Sequence, residues 1–436
     1  MADPVLITAL LFGLMVLLLV AGVPIAFSLG GLSIGMIYFF WSPAALNMLP
    51  IRAFASSSAF EYLAIPLFIF MAAMLQKGRI AEDLYDTMQK FCGGLRGGLA
   101  IGTIGICTLF AAMAGISGAA TIAMGMIAIP GMLARGYGKE IAVGAVAAGG
   151  SLGILIPPSI TMIVYGIIAN TSIGRLYAAG LMPGLLIAVM FALYLLLRGM
   201  LQPGLSGGIQ IQHYSWREKL ISLKGLVLPL ALITAVMGSI LTGIAGVSEA
   251  SAVGAAGAIF SVALLGRLNW TVLREACEQT LQLSCMIFWI IIGATALSTV
   301  YTAMGASRVI EGFILELEVN RWVILIAMLG VLLVLGMLLD TVGIIMITAP
   351  IFVPIVISLG FDPVWFGILF IIMMEIGFLT PPFGYSLFYV RGVSPPSVQM
   401  MDIYTSVLPF IALMLLAVGI CMLFPQIILF LPNAIF

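Results

Sequence analysis

Apolar runs of roughly 18 residues or more recur along the whole chain, and that is the length an α-helix needs to cross about 30 Å of hydrocarbon. Segments 4–22 and 24–40 follow one another with only the tight Gly22-Val23-Pro24 turn between them. A chain in which 63% of residues are hydrophobic and only 8% charged cannot clothe such helices in a water-facing surface, since soluble domains carry about 25% charged residues. A membrane β-barrel would show alternating segments of about 10 residues, and none occur. The fold class is therefore all-α, polytopic and membrane-spanning.

The remaining polar residues exclude several function classes. Seventeen basic and 17 acidic side chains balance, so there is no footprint for nucleic acid. Cys92, Cys107, Cys277, Cys285 and Cys421 show no CxxC pair or metal-ligand spacing and read as small apolar core thiols. The single histidine, His213, lies in a polar stretch beside Trp216 and Arg217 and reads as solvated. No basic residue precedes the first apolar run, which is itself of span length, so a cleaved signal peptide is not expected. Zinc-protease and P-loop motifs are lacking, and the sequence offers no intramembrane histidine as a catalytic base, which argues against hydrolytic catalysis and direct ATP coupling.

After a loop at 41–58, a span is expected at 59–77. At 79–96, Ile80, Leu84, Met88, Phe91 and Leu95 recur at helical spacing, with Arg79, Glu82, Asp83, Asp86 and Lys90 opposite. That pattern predicts an amphipathic helix lying on the membrane surface. The stretch 98–134 is broken at its middle by Gly115-Ile116-Ser117-Gly118, leaving halves too short to span and favouring a re-entrant hairpin. The span 138–168 carries Gly149–Ser159 (GGSLGILIPPS), whose adjacent prolines remove backbone donors and break the helix. A span at 176–201 and a polar linker at 202–224 complete the first half. The second half repeats this plan. Spans are expected at 225–244, 248–266 and 283–303, and an amphipathic arm at 306–319. A hairpin at 322–358 breaks at Leu339-Asp340-Thr341-Val342-Gly343, a span at 362–391 is interrupted, and a last span covers 405–431.

Superposing Pro157-Pro158 on Pro381-Pro382 sets an interval of 224 residues, which also pairs Pro130 with Pro354, Gly136 with Gly360, Gly153 with Gly377 and Ser117 with Thr341. Identity across the window is otherwise near what apolar composition gives by chance, so the signal lies in the punctuation. Each half then holds five spans and one hairpin. Five is odd, which puts the halves in opposite orientations, an inverted-topology repeat of about ten transmembrane helices plus two re-entrant hairpins. Placing the N-terminus outside puts 13 Lys and Arg residues inside, Lys77 to Arg391, and only Arg52, Arg175, Arg308 and Arg321 outside, in keeping with the positive-inside rule. Both termini are then outside.

Non-helical backbone within a bilayer must be buried in protein or line a cavity. Freed carbonyls at such breaks suit Na⁺, while half-helix N-termini favour anions. Gly115, Gly118, Gly150 and Gly153 leave backbone oxygens unshielded, and Ser117, Ser151, Thr341 and Thr380 can add hydroxyl oxygens. Two carboxylates lie at membrane depth, where a central charge costs at least about 2.5–3.5 kcal/mol. Asp340 suits either cation binding or capping of the following half-helix, and Glu375 either cation binding or a structural role. Glu249, after Ser248, reads as a helix-start residue.

Gly149–Ser159 (GGSLGILIPPS), Ile376–Gly384 (IGFLTPPFG) and Val247–Gly254 (VSEASAVG) resemble the large membrane subunit of TRAP (tripartite ATP-independent periplasmic) transporters, and the likeness runs along the whole chain. Val247-Ser248-Glu249 departs from the family's frequent Pro-Thr-Glu. The resemblance implies an elevator-type, ion-transporter-superfamily-like fold and Na⁺-coupled uptake of a small organic acid across a bacterial inner membrane. It implies two partners besides lipid: a small four-helix membrane subunit and a periplasmic substrate-binding protein. Both termini would be periplasmic, with Na⁺ the coupling ion and no organic cofactor or transition metal. On this resemblance the first Na⁺ set comprises Gly115, Ser117, Gly118, Gly150, Ser151, Gly153 and Pro157. The second comprises Leu339, Asp340, Thr341, Gly343, Glu375, Gly377, Thr380 and Pro382. Ser117, Ser159, Thr341 and Thr380 would face the substrate.

Scaffold helices are expected at 1–58 and 225–282, and a span with its arm at 59–97 and 283–321. Mobile halves fall at 98–168 and 322–391, a scaffold span with linker at 169–224, and a last span at 392–436. A stand-alone Na⁺–carboxylate symporter is the nearest rival. A channel or an intramembrane enzyme is the more distant one, and the enzyme lacks a paired nucleophile and base at depth.

Overall fold

The computed structural model describes residues 4–92, 97–115, 117–202, 204, 214–306, 309, 312 and 319–436. Among them every regular element is helical. The first half contains α1 (Pro4–Val20), α2 (Ile25–Met36), α3 (Met48–Ser57), α4 (Ala64–Lys77), α5 (Ile80–Cys92), α6 (Gly98–Ala114), α7 (Ser117–Leu133), α8 (Lys139–Ser151), α9 (Ile160–Ile168), α10 (Ile173–Leu201) and α11 (Trp216–Ser222). The second contains α12 (Lys224–Leu241), α13 (Val247–Leu264), α14 (Trp270–Ala303), α15 (Arg321–Leu338), α16 (Thr341–Ser358), α17 (Pro363–Leu379), α18 (Tyr385–Val393), α19 (Met400–Leu423) and α20 (Gln426–Ile435). Eight helices among the described residues are long and apolar enough to cross a membrane, both arms of the second hairpin included.

Shifted by 224 residues, the first residues of α6, α7, α8 and α9 land at or within one residue of the starts of α15, α16, α17 and α18. The interval set by the double prolines is thus also the interval of the helix boundaries.

Five expectations need correction. The loop at 41–58 holds a 3₁₀ turn, Pro43–Asn47, and then α3. Ser42 caps the turn by accepting from the Ala44 amide at 3.3 Å, and α3 mixes exposed Ile51 and Phe54 with Arg52, an interfacial pattern that a search for long apolar runs misses. The polar linker contains α11, started by a Ser215–Glu218 capping box. The span expected at 283–303 begins at Trp270, capped by Asn269, because Arg274 and Glu278 pair at 2.7 Å on its polar turns. The last span, expected as 405–431, divides at Phe424-Pro425 into α19 and α20. Of the cysteines, Cys107 and Cys421 are buried, but Cys277 and Cys285 are exposed on α14. Most of the arm expected at 306–319, and His213, lie outside the described residues.

Helix α5 is amphipathic and is held on both of its faces. α5 buries Ile80, Leu84 and Tyr85 against α6, α11 and α12. From its polar face, Asp83 receives both Arg267 nitrogens, at 2.7 and 2.9 Å, and Arg267 also donates to the carbonyls of Gly78 and Arg79. These hydrogen bonds to Asp83 raise the Arg267 guanidinium further above its ordinary pKa.

At the centre of the bundle, α17 is buried from Val364 through Leu379 and α8 from Ile141 through Ser151. Helices apolar all round belong inside a bundle. Small residues let their neighbours close in: a Cβ on Gly377 would sit 2.7 Å from the Gly336 Cα of α15.

Candidate functional site

The four predicted interruptions are present. α6 turns into α7 at Gly115, whose φ of 63° is left-handed backbone that favours glycine. α8 passes through a 3₁₀ turn, Leu152–Ile154, into an irregular stretch before α9. α15 and α16 meet at Leu339-Asp340, and α17 and α18 are separated by 380–384. The second hairpin break is shorter than expected, since Thr341, Val342 and Gly343 already form the first turn of α16. The arms of the first hairpin are 17 residues each, about 26 Å at 1.5 Å per residue. They are therefore not too short to span on length alone. What marks the hairpin is where its tip sits.

That tip rests on the first double-proline break. The Ile160 amide donates to the Gly115 carbonyl at 3.4 Å, and a Cβ on Gly115 would lie 2.8 Å from the Pro158 carbonyl oxygen. Gly118 lies under the Tyr389 ring of α18, where a Cβ would come within 2.9 Å. Ser117 is buried at the start of α7. The packing is crossed: α7 lies on α18, and α16 lies on α9. Each hairpin thus returns against the broken helix of the other half.

The first break is wholly buried through Pro157, Pro158 and Ser159. Ser159 donates its hydroxyl to Ile154 O at 2.5 Å, accepts from the Met162 amide, and offers its carbonyl to the Tyr177 hydroxyl at 3.3 Å. α10 closes over it, with Gly180 against the Leu155 carbonyl. Adjacent prolines carry carbonyl oxygens but no N–H, so oxygens outnumber donors here, as a Na⁺ site would need. The second break differs. Thr380 caps α17, donating to Ile376 O at 2.7 Å, while Pro382 and Phe383 are exposed. The Pro382 carbonyl accepts from Tyr404 at 3.0 Å. One break is covered by its hairpin tip and the other stands open.

The carboxylates have defined partners. Asp340 caps α16, with Oδ2 accepting from the Val342 and Gly343 amides at 3.1 and 3.3 Å. Gly343 also faces Ile25 of α2, so the second tip touches a helix outside the paired breaks. Glu375 is fully buried one turn before the end of α17, and its Oε1 accepts from the Ser151 hydroxyl at 2.9 Å. Gly150, beside Ser151, is packed against Thr121 of α7, and Gly153 is buried in the 3₁₀ turn. Glu249 sits in the first turn of α13.

A second polar feature went unread in the sequence. Thr295, Ser298, Thr299 and Thr302 occupy positions i, i+3, i+4 and i+7 of α14 and line one cavity with Arg52. Four hydroxyls at helical spacing in a span were the available signal. A search for charges and breaks passed over them.

Residues 12–427 match the family model of the tripartite ATP-independent periplasmic transporter, DctM component. The chain is 36% identical to the C4-dicarboxylate TRAP transporter large permease protein DctM of Pseudomonas aeruginosa, covering 92% of this chain and 93% of that protein. It is 33% identical to the isethionate TRAP transporter permease protein DctMQ of Oleidesulfovibrio alaskensis, covering 96% and 65%. In fold it is similar to the YdaH transporter of Alcanivorax borkumensis, with a TM-score of 0.65, 15% identity and coverage of 97% and 99%. The chain is a multi-pass membrane transport component rather than an enzyme, and it belongs to the DctM family, the large permease of tripartite ATP-independent periplasmic transporters.

Proposed function

We propose that this large permease drives Na⁺-coupled uptake of a small organic anion, a carboxylate or sulfonate, across a bacterial inner membrane by an elevator mechanism. A small four-helix membrane subunit completes the membrane unit, and a periplasmic binding protein delivers the substrate. The two halves, 98–168 and 322–391, form the moving body as an inverted repeat, and both termini are periplasmic. Na⁺ is carried at the two hairpin-tip and helix-break sets, with substrate between Ser117, Ser159, Thr341 and Thr380.

The observation that carries this reading is the crossed packing of α7 on α18 and α16 on α9, which joins four breaks from two sequence-equivalent halves into one unit. The oxygen-rich backbone at Pro157-Pro158 and the absence of an intramembrane histidine from the sequence favour Na⁺ over protons. The substrates for which the two relatives are named, a C4-dicarboxylate and isethionate, support an organic anion.

Reconstitution of the permease with its small subunit and binding protein in proteoliposomes tests the coupling. Uptake of labelled succinate or isethionate should follow an inward Na⁺ gradient and stop in choline. With more than one Na⁺ per monovalent anion it should also rise with an inside-negative potential, worth about 2.3 kcal/mol per charge per 100 mV. Uptake that persists in choline and collapses with the pH gradient overturns Na⁺ coupling.

A further inference from the structure

We propose that the cavity between α3, α14, α9 and α16 is a second anion site, separate from the helix breaks, which takes the carboxylate or sulfonate of a small organic acid. The substrate class rests on the reading above; the site itself rests on the following geometry.

The cavity holds ≈ 480 Å³, within the range of about 300–1,000 Å³ typical of small-molecule sites. One wall is the hydroxyl face of α14. Thr295 and Thr299 commit their protons to the carbonyls one turn back, Ile291 O and Thr295 O, each at 2.8 Å. The Ser298 and Thr302 hydroxyls make no hydrogen bond among the described residues, so both can donate to a ligand. Arg52 reaches the same space from α3 and has no ion-pair partner among the described residues. No carboxylate lines the cavity there either. A planar guanidinium with two free hydroxyl donors matches an oxyanion, and the guanidinium charge repels a cation from the neighbouring hydroxyl oxygens. The opposite walls, Ile167 and Ile168 of α9 with Met346 and Pro350 of α16, are apolar and suit a short carbon skeleton.

The walls also come from two sets of elements. Arg52 and the hydroxyls stand on α3 and α14, whereas Met346 and Ile167 stand on the crossed pair α16 and α9. Sliding of the hairpin unit would change the volume of this cavity while leaving its anion donors in place. An acid held here waits beside the moving unit before it is carried.

The test uses Thr299→Cys as reporter in a cysteine-free version of the full permease, reconstituted with its small subunit. This leaves Arg52, Ser298 and Thr302 intact. Labelling rates are compared for an anionic and a cationic methanethiosulfonate, with Arg52 native, Arg52→Gln or Arg52→Lys. Arg52→Gln should lower the anion-to-cation rate ratio roughly tenfold, as removal of a unit charge a few ångströms away implies. Arg52→Lys should retain the ratio and so control for misfolding. Succinate should protect the reporter from the anionic reagent. An unchanged ratio in Arg52→Gln overturns the site. Protection that follows the phosphatidylglycerol content of the vesicles and not succinate also overturns it, because the cavity then holds a lipid headgroup. Labelling requires no transport, so a permease without Na⁺-driven uptake could still pass this test.

Discussion

Ser151 and Glu375 lie 224 residues apart, the interval between the double prolines, and the Ser151 hydroxyl reaches both Glu375 Oε1 and the Ala148 carbonyl one turn back, each at 2.9 Å. On the inverted-repeat reading proposed above, the two positions are equivalent, and equivalent residues touch only where the halves meet, which would put this contact at the centre of the crossed unit. Both side chains are fully buried, and Glu375 Oε2 has no hydrogen-bond partner among the described residues.

Ser151→Ala should therefore strip the buried carboxyl of its one hydrogen-bonding side chain and destabilise the protein by about 1–3 kcal/mol, lowering the apparent melting temperature in detergent. Glu375→Gln keeps an oxygen facing Ser151 and should melt close to wild type. If Glu375→Gln melts normally but needs more Na⁺ for uptake, the residue serves the cation rather than the join between halves.

Asp340 presents one carboxylate oxygen to two amides of α16, and its other oxygen lies on the Gly343 side of the tip. Asn caps about as well as Asp, so Asp340→Asn should insert and fold normally. If the second oxygen serves a Na⁺ site, the half-saturating Na⁺ concentration for uptake should rise several-fold. A Na⁺ titration that overlays wild type assigns Asp340 to capping alone.

Arg267→Lys should loosen the arm, since an ammonium cannot reproduce the two parallel bonds to Asp83 together with those to Gly78 and Arg79. The pair is partly exposed, so the loss should be about 1 kcal/mol or less. Hydrogen exchange at 80–92 should speed up. Unchanged exchange there would mean that packing of Ile80, Leu84 and Tyr85 alone holds the arm.

The sequence was legible where backbone chemistry had no alternative. Single prolines such as Pro350 are carried inside helices, but the adjacent pairs Pro157-Pro158 and Pro381-Pro382 each remove two successive donors and push the first proline of the pair off helical backbone, and both breaks, with the spacing between the halves, follow from them. It was less legible where polar residues sit on real helices. Arg274, Glu275 and Glu278 hid the first turns of α14, and Arg52 hid α3, because charge reads as loop until a partner or an interface is known. Glu375 drew notice as a buried acid, but its partner Ser151 could not be read from either motif alone. The contact depends on which faces of α8 and α17 meet. The asymmetry between a covered first break and an exposed second one is likewise a property of packing, since both motifs carry the same Gly-x-Leu-x-Pro-Pro punctuation.

The elevator assignment makes a claim about which contacts must break, and one of them is at hand. Gly343, in the first turn of α16, lies against Ile25 of α2, where a Cβ would stand 3.1 Å from the Ile25 side chain. α16 belongs to the unit proposed to slide and α2 to the part proposed to stay. Cysteines at 25 and 343 should crosslink through a short bifunctional reagent and abolish uptake until the link is reduced. A control pair at 27 and 289, where exposed Phe27 and Trp289 approach at 6.2 Å between ring centroids, joins α2 to α14 without bridging the sliding boundary. Linking it should leave uptake largely intact. If the 25–343 crosslink forms in full and uptake continues, then α16 does not move past α2. Rocking of the two halves about the Ser151–Glu375 contact would then be the better description of alternating access.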